Sequence, residues 1–170
     1  GSPRGAPLPP AARPLGEARP IRLDIPALDL RAPVVARGLD RYGAIDAPPF
    51  AQAAAVAWYA AGTKPGSAGA ALMTGHFDTR TRPAVFHRLG TLRPGERVRV
   101  LRDDGSAAEF TVDDVRVVTR DGFDAAQAYG PRRAGRAELR LLTCAGTFDR
   151  ATGTYAANVI VSAYLTGTGR

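Results

Sequence analysis

Short runs that alternate apolar and polar residues, separated by clusters of glycine and proline, constrain this chain more than any other feature. Ile21-Arg22-Leu23-Asp24-Ile25 alternates with period two and is stopped by Pro26. Val98-Arg99-Val100-Leu101-Arg102 does the same ahead of the turn residues Asp103-Asp104-Gly105-Ser106, and alternation resumes from Glu109 to Thr119. Side chains sent alternately to two faces belong to half-buried strands, and two such runs joined by a glycine-containing turn form a hairpin. Leu30 to Ala36, Ala70 to Gly75, Glu138 to Cys144 and Asn158 to Leu165 read as further strands. Pro33 predicts that the first of these lies at a sheet edge or starts after the proline. Residues 37–50 read as loop, and the helices expected are short: residues 53–59, 83–89 and 125–129. With 19 Gly and 14 Pro in 170 residues, the pattern predicts a mainly β domain, an antiparallel or mixed barrel or sandwich.

The length fits one domain, large enough to bury a core without staples. Residues 1–20 carry Pro3, Pro7, Pro9, Pro10, Pro14 and Pro20 and show no apolar periodicity, so they read as an extended or disordered linker ahead of a catalytic domain over 21–170. Gly1-Ser2 resembles a cleavage scar, which leads us to expect that a natural N-terminal segment precedes this sequence. No apolar run approaches the roughly 18–20 residues that span a bilayer.

The charge is 23 basic against 16 acidic residues, net +7, and Lys64 is the only lysine. A basic surface attracts nucleic acid, anionic lipid or an acidic polymer; an Arg- and Ala-rich composition is equally accounted for by a GC-rich genome. No nucleic-acid module is present and the aromatics do not interleave with the arginines, so no nucleic acid is expected. One cysteine and two histidines offer no metal-ligand spacing, and no glycine-rich phosphate loop occurs, so neither metal nor cofactor is expected.

Cys144 follows the apolar strand Leu141-Leu142-Thr143. A thiol at a strand end is rigidly aimed, which suits a nucleophile, although a lone cysteine is more often a small buried hydrophobe. A nucleophilic thiol needs a proton-transfer partner. His76 ends the apolar run Ala70 to Gly75, whereas His87 sits among Phe86, Arg88 and Leu89 and reads as a packing or surface residue. Acyl transfer also needs a donor for the oxyanion, and Arg150 is the arginine next after Cys144 in the chain.

In order and spacing, these segments resemble the sortases of Gram-positive bacteria. Leu141-Leu142-Thr143-Cys144 follows the T-L-x-T-C motif except at its first position, which is Arg140. Thr74-Gly75-His76 matches the family's histidine segment, and the stretch from Pro83 to Leu89 followed by Leu92-Arg93-Pro94-Gly95-Glu96 resembles its F-x-x-L…L-x-x-G-D pattern. Thr143-Cys144-Ala145-Gly146-Thr147-Phe148-Asp149-Arg150 and Tyr155…Asn158-Val159-Ile160-Val161 look most like actinobacterial class F. The resemblance covers about Pro20 to Leu165.

The resemblance implies a closed eight-stranded β-barrel with a few short helices. It implies a cysteine transpeptidase that cleaves an LPXTG-like sorting signal through a thioacyl-enzyme and passes the acyl group to an amine of peptidoglycan or a pilin. It also implies an enzyme tethered to the membrane and facing outward. His76, Cys144 and Arg150 are then the catalytic residues, with Thr143 and Asn158 binding substrate. One departure is visible: Asn158 stands where many sortases place the arginine, so the third role falls to Arg150, with Arg80, Arg82 and Asn158 as alternatives. Two other classes compete: a cysteine peptidase that does not transfer, whose usual C-G-[SA]-C-[WY] signature is absent, and a non-catalytic basic β-barrel binding module.

Overall fold

The computed structural model describes residues 7–41, 43, 45–79, 81–119, 130–149 and 154–169, with 50, 144–149 and 154–156 described by their backbone alone. Eight strands form it: β1 (Pro20–Ile25), β2 (Leu30–Arg37), β3 (Val56–Tyr59), β4 (Gly69–Thr74), β5 (Arg97–Arg102), β6 (Ala107–Thr119), β7 (Ala137–Asp149) and β8 (Thr154–Gly169). They close into a barrel in the order β1-β2-β3-β4-β7-β8-β6-β5. β2 with β3 and β4 with β7 run parallel, and all other neighbours are antiparallel. Helical structure among the described residues is limited to single 3-10 turns at Pro26–Leu28, Phe50–Gln52 and Leu89–Thr91. None of it is long and apolar enough to cross a membrane. The sequence expectation of a mainly β barrel with few short helices agrees with this architecture.

Alternation decides which side chains fill the barrel. Leu23, Ile25, Val98, Val100, Phe110, Leu139, Leu141, Val159 and Val161 converge on one core with Trp58, Met73 and Phe86, all nearly or wholly buried. Leu142 and Ile160, out of phase with those neighbours, form a second apolar cluster with Ile45 and Val118. The connection between β2 and β3 supplies Ile45, so this loop covers part of the barrel wall beside β7 and β8.

Two helix expectations give way. Residues 53–59 are Ala-rich, yet 56–59 form β3, because pairing with β2 and β4 buries Val56 and Trp58 in the core. Tertiary packing overrides a weak local preference here. Residues 83–89 make a turn that enters the 3-10 turn at Leu89, with His87 N–H bonded to Ala84 O and Leu89 N–H to Phe86 O. The helix expected at 125–129 lies outside the described residues. Pro33 is not at an edge either. β2 pairs with β1 through Leu30–Pro33 and with β3 through Val34–Arg37, so the proline falls where the strand changes partner.

From Pro7 to Arg19 the chain has no regular structure, but it is held along the barrel. Ala12 N–H bonds Leu165 O at 2.8 Å, Leu15 N–H bonds Gly66 O at 2.7 Å, and Arg102 donates to Gly16 O. Ala12 and Leu15 pack against the core, and the Arg19 guanidinium lies 5.7 Å from the Trp58 ring centre.

A second anchor sits at the start of β7. Glu138 is fully buried, and its carboxylate accepts from the backbone N–H groups of Arg132 and Arg133 and from the side chains of Arg136 and Arg140. The Arg140 guanidinium, 1% exposed, also donates to Gly130 O at 2.9 Å. Burial pushes the Glu138 carboxyl up, but these donors outweigh it and hold its pKa below the ordinary value. The network fixes residues 130–136 to β7.

Candidate active site

The parallel register of β4 and β7 builds the site. Met73 pairs with Leu141 and Thr74 with Leu142. Beyond that pair the strands stay joined: Gly75 N–H donates to Leu142 O at 3.2 Å, the Thr74 hydroxyl to Leu142 O at 3.0 Å, and the Thr143 hydroxyl to Gly75 O at 2.7 Å. His76 and Cys144 each lie two residues past the Thr74–Leu142 pair; His76 follows the end of β4, whereas β7 runs on to Asp149, so Cys144 sits within a strand and not at the strand end that the sequence suggested, because pairing with β8 carries β7 further. Their backbone positions therefore stand side by side at one end of the barrel. On the other flank of β7, Cys144 pairs with Asn158 of β8.

The glycine in Thr74-Gly75-His76 has a steric cause. A Cβ at position 75 would lie 2.7 Å from Val85 Cγ1 and 2.9 Å from Phe86 Cδ2, and Phe86 is fully buried. The turn that carries Phe86 is in turn tied to the histidine strand, with Phe86 N–H on His76 O at 3.0 Å and Ala84 N–H on Phe77 O at 3.1 Å.

The His76 imidazole is half-buried, and its Nε2 is hydrogen bonded to the carbonyl oxygen of Pro48. A carbonyl only accepts, so Nε2 carries the hydrogen and the neutral ring keeps its lone pair on Nδ1. That nitrogen is then the one able to act as a base. His87 behaves as the sequence suggests: exposed, its ring in a tilted contact with Phe77 at 4.6 Å between centres, and hydrogen bonded to Phe77 O.

The other expected residues fall as follows. Asn158 is half-buried opposite Cys144. Thr143, expected to bind substrate, is 3% exposed and spends its hydroxyl joining β7 to the Gly75 carbonyl. Arg150 and Arg80 lie outside the described residues. Arg82 is exposed, in a tight turn whose N–H meets the Thr79 hydroxyl at 3.2 Å. It borders a groove of about 860 Å³ that the sequence did not reveal. The walls come from three separated segments, so no local pattern announces it. Among the described residues no group of three or more His, Cys, Asp or Glu is placed to hold a metal ion.

A sortase domain family model matches residues 23–166. The sequence has no match among curated proteins. Among solved structures, sortase C1 from Streptococcus agalactiae aligns with a TM-score of 0.63 at 17% identity, over 86% of this chain and 66% of that one. Sortase C-1 from Actinomyces oris aligns with a TM-score of 0.63 at 19% identity, over 86% and 72%. Sortase C of Streptococcus pneumoniae gives 0.62 and 17%, over 90% and 71%. This chain thus spans about two thirds of the length of the first of these, and at such identities the likeness is one of fold. With the family model covering most of the sequence and the barrel matching, the chain belongs to the sortase family of cysteine transpeptidases, which act at the cell surface.

Proposed function

We propose that this domain cleaves an LPXTG-like sorting signal, holds the acyl group as a thioester on Cys144, and transfers it to an amine of peptidoglycan or a pilin. The observation that carries the reading is the β4–β7 register, which sets Cys144 beside His76 although 68 residues separate them in sequence.

In this reading the Cys144 thiolate attacks the carbonyl carbon of the Thr–Gly bond. Protonated His76 gives its proton to the departing amine, and neutral His76 then takes one from the incoming amine. Arg150 supplies the cation for the oxyanion, with Arg80, Arg82 and Asn158 as its rivals. Asn158 serves substrate binding from the neighbouring strand, and Thr143 contributes through the Gly75 carbonyl that fixes the histidine strand. The Cys144–Arg150 segment and the closing Tyr155…Val161 support a class F assignment. The native protein is then anchored by an N-terminal segment at the outer face of the membrane, beside the wall that holds the acceptor.

The deciding experiment incubates the protein with Leu-Pro-x-Thr-Gly peptides and weighs the adduct by mass spectrometry, with and without an added amine. A thioester on Cys144, lost in Cys144→Ala and resolved to an amide by the amine, is expected. Cleavage that survives Cys144→Ala sinks the assignment, and hydrolysis without transfer makes the protein a peptidase. Arg150→Ala lowers the rate by about 10²-fold or more, the scale of an oxyanion donor.

A further inference from the structure

The 860 Å³ groove is walled by segments that lie next to the histidine segment in the fold. One wall is the corner from Leu28 to Arg31 between β1 and β2, another is the lead into β3 at Ala51–Ala54, and the third is the segment from Thr79 to Arg88. Backbone bonds join these walls to the histidine: Phe86 N–H to His76 O at 3.0 Å and Val85 N–H to Ala53 O at 3.1 Å. The Pro48 carbonyl that receives His76 Nε2–H lies just before Ala51 in the chain. The groove thus borders the segments that hold His76 in place, while His76 itself is not among its lining residues.

The charge of the groove is one-sided. Arg31, Arg82 and Arg88 line it, all three exposed, and none forms an ion pair with a described residue. Asp29, held in the left-handed region at φ 50°, is its only carboxylate among the described lining residues. Guanidinium groups without carboxylate partners favour anionic ligands, which they grip through paired N–H donors. The same field disfavours an ammonium and so lowers the pKa of an amine brought into it.

We infer that this groove receives the amine acceptor, and that the acceptor is an anionic one, a peptide-like molecule carrying carboxylates beside its nucleophilic amine. The inference rests on the proposed transpeptidation. With the acyl chain bound beside β7, the acceptor reaches His76 from the groove that borders its segment. The amine nitrogen attacks the thioester carbon, the C–N bond forms, and the C–S bond breaks with its electron pair returning to Cys144 sulfur. His76 takes the proton lost by nitrogen and passes it to the thiolate.

The test measures binding by calorimetry, independently of turnover. Three peptides of equal length each carry one lysine amine, flanked by Glu, Gln or Arg. The unmodified domain is expected to bind them in the order Glu, Gln, Arg. Arg31→Glu/Arg88→Glu weakens the Glu peptide about tenfold and reverses the order, with the melting temperature unchanged, and added salt flattens the differences. Equal affinity for the three peptides, indifference to the double substitution, or no binding of the Glu peptide at millimolar concentration overturns the inference. Thioester formation with the sorting peptide is followed separately in the same variants. Its absence in the unmodified protein defeats the transpeptidase reading, while the binding order still decides whether the groove selects anions.

Discussion

At the start of β7, Glu138 and Arg140 are 0% and 1% exposed and hold a dense set of charged hydrogen bonds. From Leu142 onward, two neutral hydroxyls and the backbone help join β7 to the end of β4 and to Gly75 after it. The difference separates holding from acting. A buried charge is tolerated only when its partners are fixed, so the first half of the strand is held in place by its ion pairs. Beyond Leu142, β7 and the residues that follow β4 are held by neutral, short-range bonds, and the proposed catalytic positions 76 and 144 lie there.

The comparison breaks if the Glu138 end also carries catalysis. Glu138→Ala strands Arg140 and Arg136 beside an empty site and is expected to destabilise the fold by about 3–5 kcal/mol, the range for one partner lost from a buried ion pair. Urea unfolding reads this, and the protein that remains folded forms the thioester at a normal rate. Gly75→Ala sharpens the other end. The new methyl meets Val85 and Phe86, costs about 1–3 kcal/mol by overpacking, and lowers thioester formation by displacing His76. Thr143→Val keeps the shape and removes the bond to Gly75 O, for a loss of about 1 kcal/mol in urea unfolding and a smaller loss of rate. Titration of stability with acid gives the smallest effect, absent at neutral pH. Because Glu138 is depressed in the folded state, its contribution is complete above its ordinary value of 4.5 and disappears as pH falls below that, through the folded value. Glu138→Gln flattens this slope.

Much of the barrel was legible in the sequence because alternation is a local signal. β1, β4, the β5–β6 hairpin and the first half of β7 stand close to where their patterns put them, while β8 runs Thr154–Gly169, well beyond the apolar core of Asn158 to Leu165. What escaped was non-local. The formation of a strand at residues 56–59, within the helix expected over 53–59, depends on partners at Val34–Arg37 and Met73–Thr74, which no local window contains. Of the candidate site, Cys144 and His76 were singled out through their motifs, and the reason for Gly75 emerged only when Phe86 was seen beneath it. The groove was invisible for the same reason, since Asp29, Ala53 and Arg88 meet only in the folded chain.

Closure of the barrel has a consequence for how any peptide is recognised. Each of the eight strands is paired on both sides over at least part of its length, so among the described residues free edge is confined to stretches where a neighbouring strand stops short. Selectivity then falls largely to side chains and connecting loops. Such features can diverge from one relative to another while the hydrogen-bonded wall beneath them stays the same.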